Sequence, residues 1–157
     1  MKEKEIHLAV TVQNEAVGCK AAVEMMNELS ATLEMITGSS GTTSFSTDDM
    51  QDPRALFVIA RTSEGTAVGC GAFRPMNDST AEIKRMYAKE KGRGIGALIL
   101  SHLEREAKQM GYSRIWLETR RINENAVQFY KDHGYQCIPN YGKYAGNALA
   151  ICFEKKL

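Results

Sequence analysis

The chain has 157 residues, of which 43% are hydrophobic and 25% are charged, values typical of a globular protein. This length predicts one domain over residues 1–157 with a sizeable core. The 20 basic and 19 acidic residues leave a formal net charge of +1. Dedicated nucleic-acid and membrane-surface binders carry a strongly basic face, so this balance argues against both as partners.

The N-terminus and the cysteines bear on location and redox state. Residues 1–6 mix acidic and basic side chains, and no apolar stretch of signal-peptide length follows them. The longest apolar runs, residues 55–60 and 148–153, are too short to cross a bilayer. We therefore expect a cytoplasmic protein. The 4 cysteines form no C-x-x-C pair, which predicts reduced, mostly buried thiols and no metal site.

The first third of the chain predicts a strand, helical structure and a loop, in that order. Residues 6–12 have the pattern of a strand, and residues 14–34 carry apolar side chains at the spacing of one or two helices. Residues 38–47 are rich in Gly, Ser and Thr, which favours a mobile loop.

Three strands are predicted in the middle of the chain. Residues 55–61 and 67–73 form a hairpin around residues 63–65, and residues 81–88 form a further strand. Strict alternation along this third strand divides its side chains between two faces, with Glu82, Lys84, Met86 and Ala88 on one and Ile83, Arg85 and Tyr87 on the other.

A glycine-rich turn at residues 92–96 opens a helix that runs to Met110. One apolar stripe is expected to face the core, made by Ile95, Leu98, Ile99, Leu103, Ala107 and Met110. Glu104 and Lys108 are expected to pair on the solvent side, and Gly111 supplies the C-terminal stop.

The C-terminal part predicts a strand, a short helix and two more strands. Residues 114–118 form the first strand, and Asn123 caps a helix that ends at Gly134. One face of this helix carries Ala126, Phe129, Tyr130 and His133. Residues 135–144 and 147–155 predict the last two strands. The whole order is a mixed α/β alternation in which helices cover a sheet.

The turn at residues 92–96 has the features of an anion site. The first N–H groups of a helix have no intrahelical partner, and the helix dipole adds partial positive charge there. Glycines let a phosphate approach the backbone closely. Lys91 and Arg93 add formal positive charge at the same place. The pattern therefore predicts a site for a diphosphate.

Two common phosphate-binding motifs fit this turn poorly. A Walker loop is excluded because no Lys-Ser or Lys-Thr follows the glycines. The dinucleotide motif G-x-G-x-x-G/A is matched by Gly92, Gly94 and Ala97, with Glu118 near the place of a ribose-binding acid. However, a doubly wound sheet buries the preceding strand on both faces, and this strand carries Glu82, Lys84 and Arg85. An NAD(P)-dependent oxidoreductase therefore ranks behind a third interpretation.

That interpretation rests on two motifs. Residues 91–96, KGRGIG, resemble the Q/R-x-x-G-x-G/A motif of the GNAT N-acetyltransferase superfamily. Residues 123–135, NENAVQFYKDHGY, are similar to its N-x-x-A-x-x-Φ-Y-x-x-x-G-[FY] segment. The resemblance covers residues 58–153. Lys91 departs from it by standing where the family usually has Arg or Gln, and the connection before it is shorter than is common.

The resemblance implies a fold and a cofactor, acetyl-CoA. The fold is a mostly antiparallel mixed sheet of about six to seven strands flanked by about four helices, with the fourth and fifth strands splayed apart. The backbone of Met86, Tyr87 and Ala88 would pair with the pantetheine arm, and Asn123 and Tyr130 would lie beside the cofactor. The diphosphate would be bound by Lys91, Gly92, Arg93, Gly94, Ile95 and Gly96.

The implied reaction moves an acetyl group to a primary amine by direct attack in a ternary complex. A free alkylamine titrates near pH 10.4, so a proton has to leave it at neutral pH. Tyr130 stands at the family's tyrosine position and is the candidate general acid. Glu82 is the candidate base, with Glu118 in reserve and an ordered water as the alternative. His7, His102 and His133 have no matched triad partner.

The acceptor is the least defined part of the prediction. Its candidate contacts are Arg74, Lys84, Arg85, Tyr141 and Tyr144. These cations would suit a small amine that bears a carboxylate, such as an amino acid, although ion pairs with Glu82 and Glu118 explain them as well. A protein amine acetyltransferase and a non-catalytic acyl-CoA sensor are the alternatives. A homodimer is implied by the resemblance alone.

Overall fold

The computed structural model describes residues 9–157 as alternating strands and helices. The strands are β1 (Thr11–Asn14), β2 (Leu56–Arg61), β3 (Ala67–Pro75), β4 (Thr80–Ala88), β5 (Arg114–Arg120), β6 (Gln136–Ile138) and β7 (Ala150–Lys156). The α-helices are α1 (Lys20–Thr37), α2 (Ile95–Gln109) and α3 (Glu124–Asp132). Short 3₁₀ turns occupy Thr42–Ser44, Thr47–Gln51 and Gly142–Tyr144. Residues 6–8 of the first predicted strand, with His7, lie outside the described residues.

The strands form one mixed sheet in the order β1-β2-β3-β4-β5-β7-β6. Every neighbouring pair is antiparallel except β4 and β5, which are parallel. These two strands pair only where Thr80–Glu82 lie opposite Arg114–Trp116, and they diverge beyond that point. The splayed mixed sheet is therefore confirmed, and the doubly wound dinucleotide fold is excluded.

Each face of the sheet is covered by helices. On one face α2 packs against residues such as Phe73 and Phe153, both fully buried. On the other face α1 packs against Phe57, Ile59 and Cys70. Burial of these apolar side chains stabilises the sheet and holds β4 and β5 between two fixed layers.

The predicted helix at residues 95–110 is confirmed, with one change in its buried face. Leu98 is 40% exposed, whereas Leu100 is 1% exposed. The buried stripe follows Ile95, Ile99, Leu103 and Ala107 at steps of four, so Leu98 falls at its edge. The predicted pair of Glu104 with Lys108 is wrong.

Contacts in the C-terminal part explain the error about Glu104, and one other prediction differs from the structure there. Glu104 accepts hydrogen bonds from Lys155 Nζ at 3.1 Å and the Tyr135 hydroxyl at 2.8 Å, because β7 ends beside α2. Residues 139–149 form a loop rather than strand. The side-chain amide of Asn140 donates to the carbonyls of Tyr144, Asn147 and Ala150, which closes this loop on itself.

A β-bulge in β4 overturns the predicted alternation of its side chains. Lys84 lies opposite Ala72 and Tyr87 opposite Cys70, so β4 has one residue more than β3 between these pairs. The extra residue is Arg85, whose φ is 56°. Glu82, Lys84, Arg85 and Tyr87 consequently face α1, while Ile83, Met86 and Ala88 face α2.

The described residues hold neither a membrane-length apolar helix nor a cluster of metal ligands. None of their helices is long and apolar enough to cross a bilayer. Over the same residues, no group of three His, Cys, Asp or Glu side chains could hold a metal ion. The four cysteines are free, with Cys70 and Cys152 buried, Cys19 half-buried and Cys137 exposed.

Candidate active site

A cavity of about 340 Å³ opens where β4 and β5 diverge. Ile83–Met86 line it from β4 and Leu117–Arg120 line it from β5. Helix α1 and residues 39–44 line it from one direction, and the start of α3 and residues 143–147 complete its wall. Because the strands stop pairing at this point, their backbone groups are free to bind a ligand.

The turn before α2 forms a cradle of backbone N–H groups. Gly92 and Gly94 adopt φ of 79° and 74°, which L side chains rarely do. The first backbone hydrogen bond of the helix joins the Leu98 N–H to the Gly94 carbonyl at 3.1 Å. The N–H groups of Ile95, Gly96 and Ala97 consequently lack intrahelical partners. This turn has the donors and the dipole that a diphosphate requires.

The cations of the cradle are solvent-accessible. Lys91 is exposed, and Arg93 forms a partly exposed ion pair with Glu90 at 2.7 Å. A Cβ on Gly96 would lie 3.4 Å from the Phe129 ring, an ordinary van der Waals contact, so α2 and α3 approach each other closely without excluding a small side chain here. The structure thus brings the predicted residues 91–96 together at one helix N-terminus, and they fit a diphosphate.

Asn123 and Tyr130 both line the cavity from α3. The Asn123 side chain accepts a hydrogen bond from the Ala126 N–H at 3.4 Å and caps the helix as predicted. Tyr130 is 7% exposed, and its ring packs edge-on against Phe129 and Tyr135. Burial raises the pKa of Tyr130 above its ordinary value, so its hydroxyl stays a proton donor at neutral pH.

Glu82 lies at the centre of a buried charge network. It is 1% exposed and accepts hydrogen bonds from Arg74 Nε at 3.0 Å and the Tyr141 hydroxyl at 2.5 Å. Lys84 Nζ lies 3.4 Å from the same carboxylate, and Arg74 also pairs with Asp49. Glu82 faces a second, neighbouring cavity of about 580 Å³.

Lys84 and Tyr144 connect this network to the first cavity, which both of them line. Lys84 Nζ donates to the Tyr144 hydroxyl at 2.8 Å. Burial lowers the pKa of Lys84, although the Glu82 carboxylate opposes the shift. Of the predicted acceptor contacts, Lys84, Arg85 and Tyr144 line this cavity, while Arg74 and Tyr141 line the second.

Glu118 is the acid that lines the first cavity. Its side chain is 10% exposed, and its buried Oε2 atom accepts no hydrogen bond from residues 9–157. Arg120 Nε lies 3.5 Å from that oxygen. Burial raises the pKa of Glu118 above its ordinary value, although Arg120 and Lys84 oppose the shift.

Sequence reasoning missed one cation at the site, Arg120, and one contact, that of Lys143 with Thr43. Arg120 lines the cavity beside Glu118, and Lys143 reaches across it to donate to the Thr43 carbonyl at 3.3 Å. That contact joins loops 100 residues apart in the chain. No local pattern signals such a contact, because neither loop carries a periodic or capping signature.

Three comparisons place these features among known proteins. A model of the acetyltransferase (GNAT) family matches residues 22–135. The chain is 30% identical over 151 residues to an IAA acetyltransferase from Azospirillum brasilense, which covers 94% of this chain and 98% of that protein. A crystal structure from Klebsiella pneumoniae, assigned as an acyl-CoA N-acyltransferase, superposes with a TM-score of 0.79 at 25% identity, covering 94% of this chain and 97% of the other.

A further neighbour was crystallised with acetyl-CoA bound. It is a GNAT family acetyltransferase from Elizabethkingia anophelis, and it superposes with a TM-score of 0.70 at 16% identity. The alignment covers 95% of this chain and 99% of that one. At this identity the likeness shows a shared fold.

Proposed function

Because this chain belongs to the GNAT acetyltransferase family, we propose that it acetylates the primary amine of a small molecule by direct attack in a ternary complex. It is an acetyl-CoA-dependent acyltransferase. The observation that carries the proposal is one cleft, lined by both parted strands and by the start of α3. An acceptor held there meets the donor in a fixed geometry, which removes much of the entropic barrier.

Bound acetyl-CoA supplies the activated acetyl group. The backbone of Met86, Tyr87 and Ala88 pairs with β3 on one side, and its other edge, where β5 has diverged, is proposed to hold the pantetheine arm as an added strand. Residues 91–96 are proposed to hold the diphosphate through the free N–H groups at the start of α2. Asn123 caps α3 at the cavity wall and is proposed to lie against the same arm.

The general base stays a prediction with two candidate carboxylates. Glu82 is held by Arg74, Tyr141 and Lys84, which leaves few free positions for an ammonium. Glu118 instead lines the cavity, where its Oε2 atom is ion-paired with Arg120 at 3.5 Å but accepts no hydrogen bond from the described residues. A buried carboxyl with a raised pKa is better matched to proton transfer near neutral pH. We therefore favour Glu118 as the base that takes the proton of the acceptor.

Tyr130 is proposed to protonate the departing sulfur. Its hydroxyl belongs to a buried side chain on the cavity wall, and its raised pKa keeps the proton available. A thiol titrates near pH 8.5, so its thiolate is a good leaving group even when it is not fully protonated. The contribution of Tyr130 is consequently expected at the low end of acid catalysis.

A small, carboxylate-bearing amine suits the cleft better than a protein amine does. The cavity of about 340 Å³ is covered by residues 39–44, and the hydrogen bond from Lys143 to the Thr43 carbonyl spans it. Both restrict the entry of a large acceptor. A non-catalytic acyl-CoA sensor is the second candidate, and it would need the donor site alone. We treat residues 1–157 as one acetyltransferase domain. A cytoplasmic location and a homodimer stay predictions.

Thiol release from acetyl-CoA over a panel of small amines tests the function. We expect turnover with at least one amine, and Tyr130→Phe is expected to lower kcat about 10²-fold while the affinity for acetyl-CoA stays unchanged. Tyr112→Phe is the matched control, because Tyr112 is a buried tyrosine that donates to the Arg54 carbonyl away from the cavity.

Two outcomes would count against this account. Thermal stabilisation by acetyl-CoA without thiol release for any amine would support the sensor instead. A Tyr130→Phe enzyme with the turnover of the wild type would remove Tyr130 from the mechanism.

A further inference from the structure

Arg85 is a charged side chain of the cavity wall whose charge is not balanced by any residue that the structure describes. It follows Lys84 on β4 and lines the cavity. Within residues 9–157, no carboxylate lies at ion-pairing distance from its guanidinium. It donates to neutral oxygens instead: the Met26 carbonyl at 2.9 Å, the Ser30 hydroxyl at 2.6 Å and the Ser40 carbonyl at 3.4 Å.

Two of the five N–H donors of this guanidinium have no hydrogen-bond partner among the described residues. They are the buried Nε–H and one N–H of Nη1, since Nη1 donates once and Nη2 donates twice. A half-buried cation without an anion is unfavourable, because it has lost hydration and gained no counter-charge. The planar fork of arginine matches the two oxygens of a carboxylate. An anionic group entering the cavity would therefore be bound favourably by Arg85.

The backbone is strained where it presents this side chain. Among the residues that the structure describes, Arg85 is the sole non-glycine with a positive φ. Without the bulge, alternation would turn Arg85 toward α2 and the apolar core. The bulge turns it toward α1, on the same side as Lys84. Such strain persists where the surrounding structure enforces it, and it concentrates at ligand sites.

The other cations of the cavity already have partners. Lys84 lies 3.4 Å from Glu82, and Arg120 lies 3.5 Å from Glu118. Lys143 donates to a backbone carbonyl. Among the described residues that line the cavity, Glu118 is the one acid against four cations. The excess positive charge favours an anionic ligand.

The phosphates of the cofactor are not that ligand. Arg85 precedes Ala88 by three residues, which is about 10 Å of extended chain, and the cradle at residues 91–96 lies beyond it. Arg85 also faces α1, whereas the cradle opens at α2. A diphosphate held by the cradle is therefore out of reach of this guanidinium.

We propose that Arg85 binds a carboxylate of the acceptor, so that the enzyme selects small primary amines that carry a carboxylate. The identity of the bound molecule as an acceptor rests on the proposed function, whereas its binding through the carboxylate does not. Glu118 on β5 then receives the ammonium end while Arg85 on β4 holds the carboxylate end. The two parted strands thus each bind one end of the same molecule.

The test compares matched ligands that differ in charge alone. Glycine, β-alanine, 4-aminobutyrate and 5-aminopentanoate are assayed against their carboxamides, with Arg85→Gln, Arg85→Lys and the exposed-site control Arg105→Gln. For the preferred chain length, we expect kcat/KM for the carboxylate to exceed that for its amide by about 10- to 100-fold, as for a hydrogen-bonded charge. Arg85→Gln should abolish this ratio and Arg105→Gln should keep it.

Binding without turnover is measured in parallel. Propionate, butyrate and valerate should raise the melting temperature of the wild type with coenzyme A present, and their carboxamides should not. If the wild type acetylates amines with the same kcat/KM for the carboxylates as for their carboxamides, the assignment of Arg85 is overturned, while the proposed acetyltransferase function is unaffected. Carboxylate binding that Arg85→Gln abolishes, with no amine acetylated, would support the assignment and contradict the proposed function.

Discussion

Replacing Glu118 by Gln is expected to lower kcat by about 10²–10⁴-fold, the range for loss of a general base. The amide keeps the size of the side chain but takes no proton from an ammonium. The acceptor then has to arrive as free amine, which is scarce at neutral pH because alkylamines titrate near pH 10.4. The rate of the variant should consequently climb as the pH approaches the pKa of the acceptor.

The pH profile of the wild type adds a second readout for Glu118. Its carboxyl has to be ionised to act as a base, and burial raises its pKa. We therefore expect kcat/KM to fall on acidification at a pH above the ordinary value for glutamate, about 4.3. In Glu118→Gln the inflection due to this carboxyl should disappear, and the rate should follow the fraction of free amine over the whole pH range.

A matched control for this substitution is Glu154→Gln. Glu154 lies on the neighbouring strand β7 and accepts a hydrogen bond from Trp116 Nε1 at 2.8 Å, outside the residues that line the cavity. It should leave kcat and the pH profile unchanged. Suppose that Glu118→Gln keeps the wild-type kcat and the wild-type fall of kcat/KM on acidification, while Glu82→Gln loses that fall. Glu82 is then the base.

Replacing Glu82 by Gln should lower the free energy of unfolding by about 3–5 kcal/mol, the range for breaking a buried ion pair. Glu82 is 1% exposed, and its loss leaves the ammonium of Lys84, which is 8% exposed, buried without its counter-charge. Arg74 retains Asp49 as a partner, so Lys84 carries most of the cost. Denaturant unfolding of the variant and the wild type measures the difference.

Lys84 also determines the pH dependence of this loss. Its pKa is lowered in the folded protein by burial, so the unfolded chain binds more protons and stability rises with pH near that pKa. Without Glu82 the pKa of Lys84 falls further. The difference in the free energy of unfolding between the wild type and Glu82→Gln should therefore become smaller as the pH rises. Adding Lys84→Met should recover part of the lost stability.

The control for Glu82→Gln is a solvent-exposed pair. Glu24→Gln removes the partner of Lys20, where both side chains are more than half exposed, and such pairs contribute about 0–1 kcal/mol. A loss for Glu82→Gln no larger than that of Glu24→Gln would mean that water replaces the carboxylate and that the network does not stabilise the fold.

Much of the fold was predictable because its signals are local. The hairpin of β2 and β3, the stripe of α2 and the Asn123 cap each depend on spacing within a few residues. The glycine cradle was predictable for the same reason, since its N–H groups and its glycines are neighbours in the chain. The splay of β4 and β5 came from the family resemblance rather than from periodicity.

The acceptor side of the site was less predictable because it depends on long-range contacts. The bulge at Arg85 changes which side chains share a face of β4, and no sequence pattern marks it. The ion pairs of Glu82 with Arg74 and Lys84 were among the alternatives that the sequence left open, whereas its hydrogen bond from Tyr141, in a distant loop, appears only in the folded chain. The burial of Glu118 Oε2 without a hydrogen-bond donor from the described residues is likewise a property of the folded cavity.

The central claim is that the cradle and the parted strands together hold acetyl-CoA. A crystal structure of the complex measures this most directly. We expect the diphosphate oxygens at about 3 Å from the N–H groups at the start of α2, with the pantetheine arm paired to the backbone of Met86–Ala88. Phosphates bound to another surface, or strands β4 and β5 paired along their whole length, would contradict the account.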